Sequence, residues 1–150
     1  MKNMLSKCSE KCMNPGLGLF ILRVVLGGVF IAHGVQKIQM MDQMIGFFKT
    51  VGISSFWVYA DTYGELLAGI AMVLGIFTRI AGYIIGIIMI VASLVLVYKL
   101  GVGFFGGYEV TLGFFASALC ISLAGPGKFA LGKKLCGCGC CQICGDVKKV

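Results

Sequence analysis

Charge is scarce in this chain. Asp, Glu, Lys and Arg together make up 13% of its 150 residues, against 59% apolar ones. A soluble domain of this size carries about twice that share of charge, so the composition excludes one. A cofactor fingerprint is also missing: the scattered glycines lack the strand, turn and helix context that a dinucleotide site needs, and nothing resembles a flavin or haem site. An enzyme acting alone is therefore not expected. The N-terminal region has neither the short apolar run nor the small-residue cleavage site of a signal peptide, so the first apolar segment reads as a retained helix.

What the chain has instead is long apolar runs and 23 glycines, a composition suited to helix packing in lipid. The runs Gly18 to Ile38, Ser55 to Phe77, Ile80 to Tyr98 and Val110 to Ala124 are each apolar enough to be a transmembrane helix, the last extended by Tyr108 and Glu109. The expected fold is all-α, an integral membrane antiparallel four-helix bundle. Three regions follow: residues 1–16 as a cytoplasmic N-terminal segment, 17–131 as the four-helix transmembrane domain, and 132–150 as a Cys-rich cytoplasmic tail.

Lys2, Lys7, Lys11, Arg79, Lys128, Lys133, Lys134, Lys148 and Lys149 would share one side of the membrane, with only Lys49 and Lys99 in the opposite loops. By the positive-inside rule both termini of this multi-pass protein are then cytoplasmic. The net charge of +7 is explained by that topology and by the lipid bilayer as a partner, with no call for nucleic acid. Gly75 to Arg79 reads as a tight turn joining helices 2 and 3. Gln39 to Ser54 reads as an amphipathic outer loop at the interface, and Gly101 to Gly107 as a second, flexible or re-entrant one.

At 100° per residue each span has a face of small or polar residues: Arg23, Gly27, Phe30, Gly34 and Lys37 in the first; Asp61, Gly64, Glu65, Ala68 and Gly75 in the second; Gly82, Gly86, Met89 and Ser93 in the third; Glu109, Gly113, Ala116 and Cys120 in the fourth. An intramembrane Arg costs about 2.5 to 3.5 kcal/mol on insertion scales and needs a partner or a wet cavity. Estimated depths make a polar column of Lys37, His33, Asp61, Glu65 and Arg23, open to the outside, in which Glu65 bonds to His33 or Arg23. Glu109 joins Lys37 at the mouth. The column reads as a pocket for an anionic or quinone-like ligand or as a proton path, with His33 as the group able to change charge near neutral pH. The alternative is an ion-pair network that fixes helix register. Snorkelling of Lys37 and a helix-dipole role for Glu109 stay open beside their site roles.

Arg23, the HGVQK run from His33 to Lys37, GFFKTVGIS from Gly46, GELLAGIAMVLGIFTRIAG from Gly64, the Gly-Tyr-Glu run ending at Glu109 and the Gly125-Pro126-Gly127 turn together resemble the DoxX family over roughly residues 17 to 131. The resemblance implies a four-helix membrane protein linked to membrane oxidoreductases such as thiosulfate:quinone oxidoreductase, in which one subunit of this type works beside a second. It also implies that Arg23, His33, Lys37, Glu65 and Glu109 occupy the family's polar motif positions. The function expected is that of a subunit in a quinone-linked or thiol/sulfur-related membrane oxidoreductase system, with a partner redox subunit or a homo-oligomer. A small transporter or a metal or proton homeostasis protein is the alternative.

The tail departs from that family pattern. Cys136, Cys138, Cys140, Cys141 and Cys144 crowd one segment, and in a reducing cytoplasm they argue for metal over disulfides. Cys136, Cys138, Cys141 and Cys144 make a candidate four-sulfur site for Zn, with an Fe–S cluster or Cu(I) as alternatives and dithiol exchange beside them. Cys120 reads as a small buried hydrophobe. Anaerobically purified full-length protein should carry about one Zn or an Fe–S signal, lost on truncation after Lys134, by elemental analysis. Equal metal in both forms, or none in either, would rule the site out.

Overall fold

The computed structural model describes residues 15–127 and 129–132. Among these are five α-helices, α1 (Pro15–Gln39), α2 (Met41–Thr50), α3 (Ser55–Leu74), α4 (Thr78–Tyr98) and α5 (Tyr108–Ala124), a 3-10 turn at Phe104–Gly106, and no strand. Pro15 opens α1, where its missing N–H is no loss and its fixed φ suits the helix. Gly75, at φ 73°, ends α3, and α4 begins three residues later, so the expected tight turn is present.

The four apolar segments expected to be helical are α1, α3, α4 and α5, packed α1 on α3, α3 on α4, α4 on α5 and α5 on α1. Contacts give the direction of each pair. A Cβ at Gly27 would stand 2.7 Å from the Gly69 carbonyl oxygen, and one at Gly34 would stand 2.8 Å from Leu66 Cβ. As α1 advances, its partner on α3 therefore recedes, and the two are antiparallel. Gly82 meets Ala118 and Ser122 while Ser93 Oγ bonds Thr111 Oγ1, so α4 and α5 are antiparallel too. Phe30 stacks edge-on against Phe114, and Gly127 lies beside Gly16, which gives α1 and α5 the same relation.

Leu26, Phe30, Ala68, Met72, Ala81, Ile85, Met89, Ala118 and Ile121 fill the centre of this ring. Outward faces are apolar as well, including Leu67, Ile87 and Leu123, each more than 60% exposed. Such a surface belongs in lipid. Helices α1 and α4 are long and apolar enough to cross a membrane, and α5 is a shorter apolar helix.

Two segments differ from the sequence expectation. The amphipathic outer loop is largely the helix α2, with Asp42 in its first turn, Lys49 in its last, and no buried residue. Both charges complement the helix dipole. On α5 the stripe of Gly113, Ala116 and Cys120 faces outward, and Ala118, Ile121 and Ser122 are the buried side. Small residues occur on both sides of α5, so periodicity alone could not choose. The choice is made by Gly82, whose bare backbone admits Ser122 and the Ala118 carbonyl.

Gly69→Ala should destabilise the protein by about 1 to 3 kcal/mol, because the new methyl would meet the backbone of Gly27 and Ile31 at 2.9 Å. Gly28→Ala, with open space around its Cβ, should gain up to about 1 kcal/mol of helix propensity. Thermal unfolding in detergent checks both; equal effects would contradict this packing.

Candidate functional site

The α1/α3 register decides which charges meet. Gly34 lies opposite Leu66, so Lys37, nearly one turn further along α1, comes level with residue 63 of α3, between Asp61 and Glu65. Asp61 and Glu65 stand four apart there, on one face of the helix. Lys37 Nζ donates to Asp61 Oδ2 at 2.5 Å and sits 2.8 Å from Glu65 Oε2. The Glu65 contact is an ion pair without hydrogen-bond alignment. Glu65 is 3% exposed, whereas Lys37 and Asp61 each keep about a fifth of their side-chain area open. With both carboxylates ionised the cluster holds one positive and two negative charges.

This cluster forms the polar end of a groove of about 710 Å³ between α3 and α4. Ile84, Ile88, Val91 and Val95 of α4 supply one wall, and Trp57, Ala60 and Gly64 of α3 the other. Phe47 and Phe48 of α2 line it as well, so the short helix that carries no core residue contributes to the site. The result is an apolar, partly aromatic slot ending in three charges, a shape for an amphipathic ligand. Sequence reading found the charges and missed the walls, because the wall residues of α4 are ordinary lipid-type aliphatics.

The remaining candidates lie elsewhere. Arg23 is 1% exposed, and its guanidinium donates Nη1–H to the Pro126 carbonyl and Nη2–H to the Phe129 carbonyl at 2.8 Å. It also lies over the Phe20 ring at 5.6 Å. Its partner is the chain that follows α5, not Glu65. Opposite-helix numbers sum to about 100 at Gly34 and Leu66, so Glu65 is level with residue 35, some twelve residues or roughly 18 Å from Arg23. Leu26, Phe30, Ala68 and Met72, all at most 3% exposed, fill that interval. The expected continuous column is thus two polar ends separated by a dry layer. His33 is exposed, its ring 6.5 Å from that of Phe30, and takes no part in the cluster. Glu109 is half-buried in the first turn of α5. Cys120 is exposed rather than buried. Cys136, Cys138, Cys141 and Cys144 lie outside the described residues, and no metal-type cluster of His, Cys, Asp and Glu occurs among the described ones.

The profile of one family, DoxX, matches residues 18–99, more than half of the chain. The chain belongs to the DoxX family. It is similar to a Bacillus subtilis (strain 168) protein named "Putative oxidoreductase CatD", 32% identical over 77% of this chain and 84% of the relative. It is also similar to the membrane protein Rv3486 of Mycobacterium tuberculosis, 30% identical over 76% of this chain and 78% of that one. No solved structure matches. The DoxX match contains Lys37, Asp61 and Glu65 and the four helices around the groove, while α5 lies beyond it.

Lys37→Met should cost about 3 kcal/mol, the low end for breaking a buried pair, because two carboxylates lose their cation but Asp61 can still reach water. Glu65→Gln combined with Arg23→Gln should be additive within about 0.5 kcal/mol, since the two share no partner. Glu65→Gln combined with Lys37→Met should not be. Thermal unfolding of the single and double variants measures all three terms, and coupling between positions 23 and 65 would contradict the observed pairing.

Proposed function

We propose that this chain is a quinone-binding subunit of a membrane oxidoreductase system, working beside a partner redox subunit rather than as a self-sufficient enzyme. The observation that carries the reading is the groove between α3 and α4: apolar walls with Trp57, Phe47 and Phe48, closed at one end by Lys37, Asp61 and Glu65. Its volume of about 710 Å³ suits one ring with part of a tail. The aromatic walls can stack on a ring, and the polar end can hydrogen-bond its oxygens. Membership of the DoxX family and the relative named as an oxidoreductase support a redox setting. A thiol or sulfur compound as electron donor is the companion proposal, since the groove has room for the acceptor only.

In this reading the chain crosses the membrane four times with both termini cytoplasmic, as the Lys and Arg distribution supports. The Lys37 cluster then belongs to the outer half and Arg23 to the inner one. The Cys-rich tail, holding Zn or an Fe–S cluster through Cys136, Cys138, Cys141 and Cys144, would lie on the inner side, away from the groove. A partner subunit is the natural link between the two. Transport is the weaker reading, because the layer of Leu26, Phe30, Ala68 and Met72 offers a solute or proton no polar group.

Trp57 is the single tryptophan and lines the groove, so its fluorescence reports occupancy. In lipid nanodiscs, a decyl-substituted benzoquinone should quench it saturably. Ala92→Phe, which fills the slot from α4, should remove the saturable part. Quenching that grows only with partitioning into lipid, and equally in both proteins, would rule the reading out.

A further inference from the structure

We infer that the groove selects the reduced, hydroxyl-bearing form of its ligand over the oxidised form, a deepening that rests on the quinone reading above. The argument is the imbalance at the polar end. Among the described residues Lys37 is the one cation there, and two carboxylates lie against it, Asp61 Oδ2 at 2.5 Å and Glu65 Oε2 at 2.8 Å. An oxidised quinone brings only acceptors, and the donors it finds are those of a single ammonium already hydrogen-bonded to Asp61 and ion-paired with Glu65. A quinol brings two O–H donors. It meets carboxylates with lone pairs to spare, among them those of Glu65 Oε2, which is buried and, among the described residues, is ion-paired with Lys37 at 2.8 Å without an aligned hydrogen bond.

Hydrogen bonds to a carboxylate are shorter and about twice as strong as neutral ones, and the apolar walls make them stronger still. The walls meet the same carbon skeleton and tail in both redox forms, and the change from quinone ring to aromatic quinol ring alters apolar contact far less than it alters hydrogen bonding at the oxygens. Selection therefore rests on the head, and the head faces more acceptors than donors. Asp61 offers the rim of this acceptor surface, a fifth exposed, and Glu65 its floor.

The experiment uses the full chain in nanodiscs under anaerobic conditions. Decyl-benzoquinone binding is read from Trp57 quenching, and the matching quinol is read by its displacement of the quinone. Quinol should bind at least about tenfold more tightly, equivalent to raising the two-electron potential of the bound couple by about 30 mV. Glu65→Gln should lower that ratio at least threefold while quinone affinity changes little. Asp61→Asn, at the rim, gives the same test should Glu65→Gln fail to fold. Equal affinities in the native protein, or a ratio unchanged in the folded variant, would overturn the inference and leave the quinone reading standing. Decyltrimethylammonium, a cation without donors, is the control: displacement of quinone by it more tightly than by quinol would mean that bare negative charge selects, and would overturn the inference as well. Absence of any saturable quinone or quinol binding would overturn both readings.

Discussion

The close approach of α1 and α3 is the constraint on which the rest depends. Gly27 and Gly69 face each other with no room for a Cβ on either, and Gly34 presses on the backbone of Leu66. In lipid there is little hydrophobic gain from bringing two apolar helices together, so close van der Waals packing carries the association. It also sets the register. With the backbones locked at two points seven residues apart on α1, Lys37 has nowhere to go but between Asp61 and Glu65. A slip of one turn would leave a carboxylate without its cation in a medium where that is costly.

The register divides the polar groups into two ends with different tasks. At one, Lys37 and two carboxylates close an apolar groove that opens between α3 and α4. At the other, Arg23 holds backbone carbonyls of the chain that follows α5, and the N–H groups of Leu131 and Gly132 bond the carbonyls of Leu74 and Gly75. Gly75 is needed there twice over: its φ is positive, and a Cβ would strike the Arg23 guanidinium at 2.9 Å. The arginine, with both Nη groups on neutral carbonyls, straps the segment that follows α5 onto the bundle. Between the two ends Phe30 and Met72 keep the core dry.

Much of this was legible beforehand. The four long helices, the turn at Gly75, the inward glycines of the first and third of them and the charges of the groove follow from hydropathy, helical period and the cost of charge in lipid. The α5 stripe misled because Gly113, Ala116 and Cys120 are as small as the residues that are buried, and only the neighbour at Gly82 distinguishes them. The groove walls were invisible because Ile84, Ile88 and Val91 look the same whether they face lipid or a ligand.

The amino-acid sequence by itself determined that this chain is a helical membrane protein, since apolar runs of that length and scarcity of charge admit no other stable arrangement of the backbone. It also determined that Arg23, Lys37, Asp61 and Glu65 must find partners. Which partners they find was decided only by the tertiary structure. Depth along a helix can be estimated to a turn or so from where a span ends, whereas an ion pair forms or fails over a few ångströms. The contacts of Gly27, Gly34 and Gly69 supply that precision, and they exist only once two helices have packed.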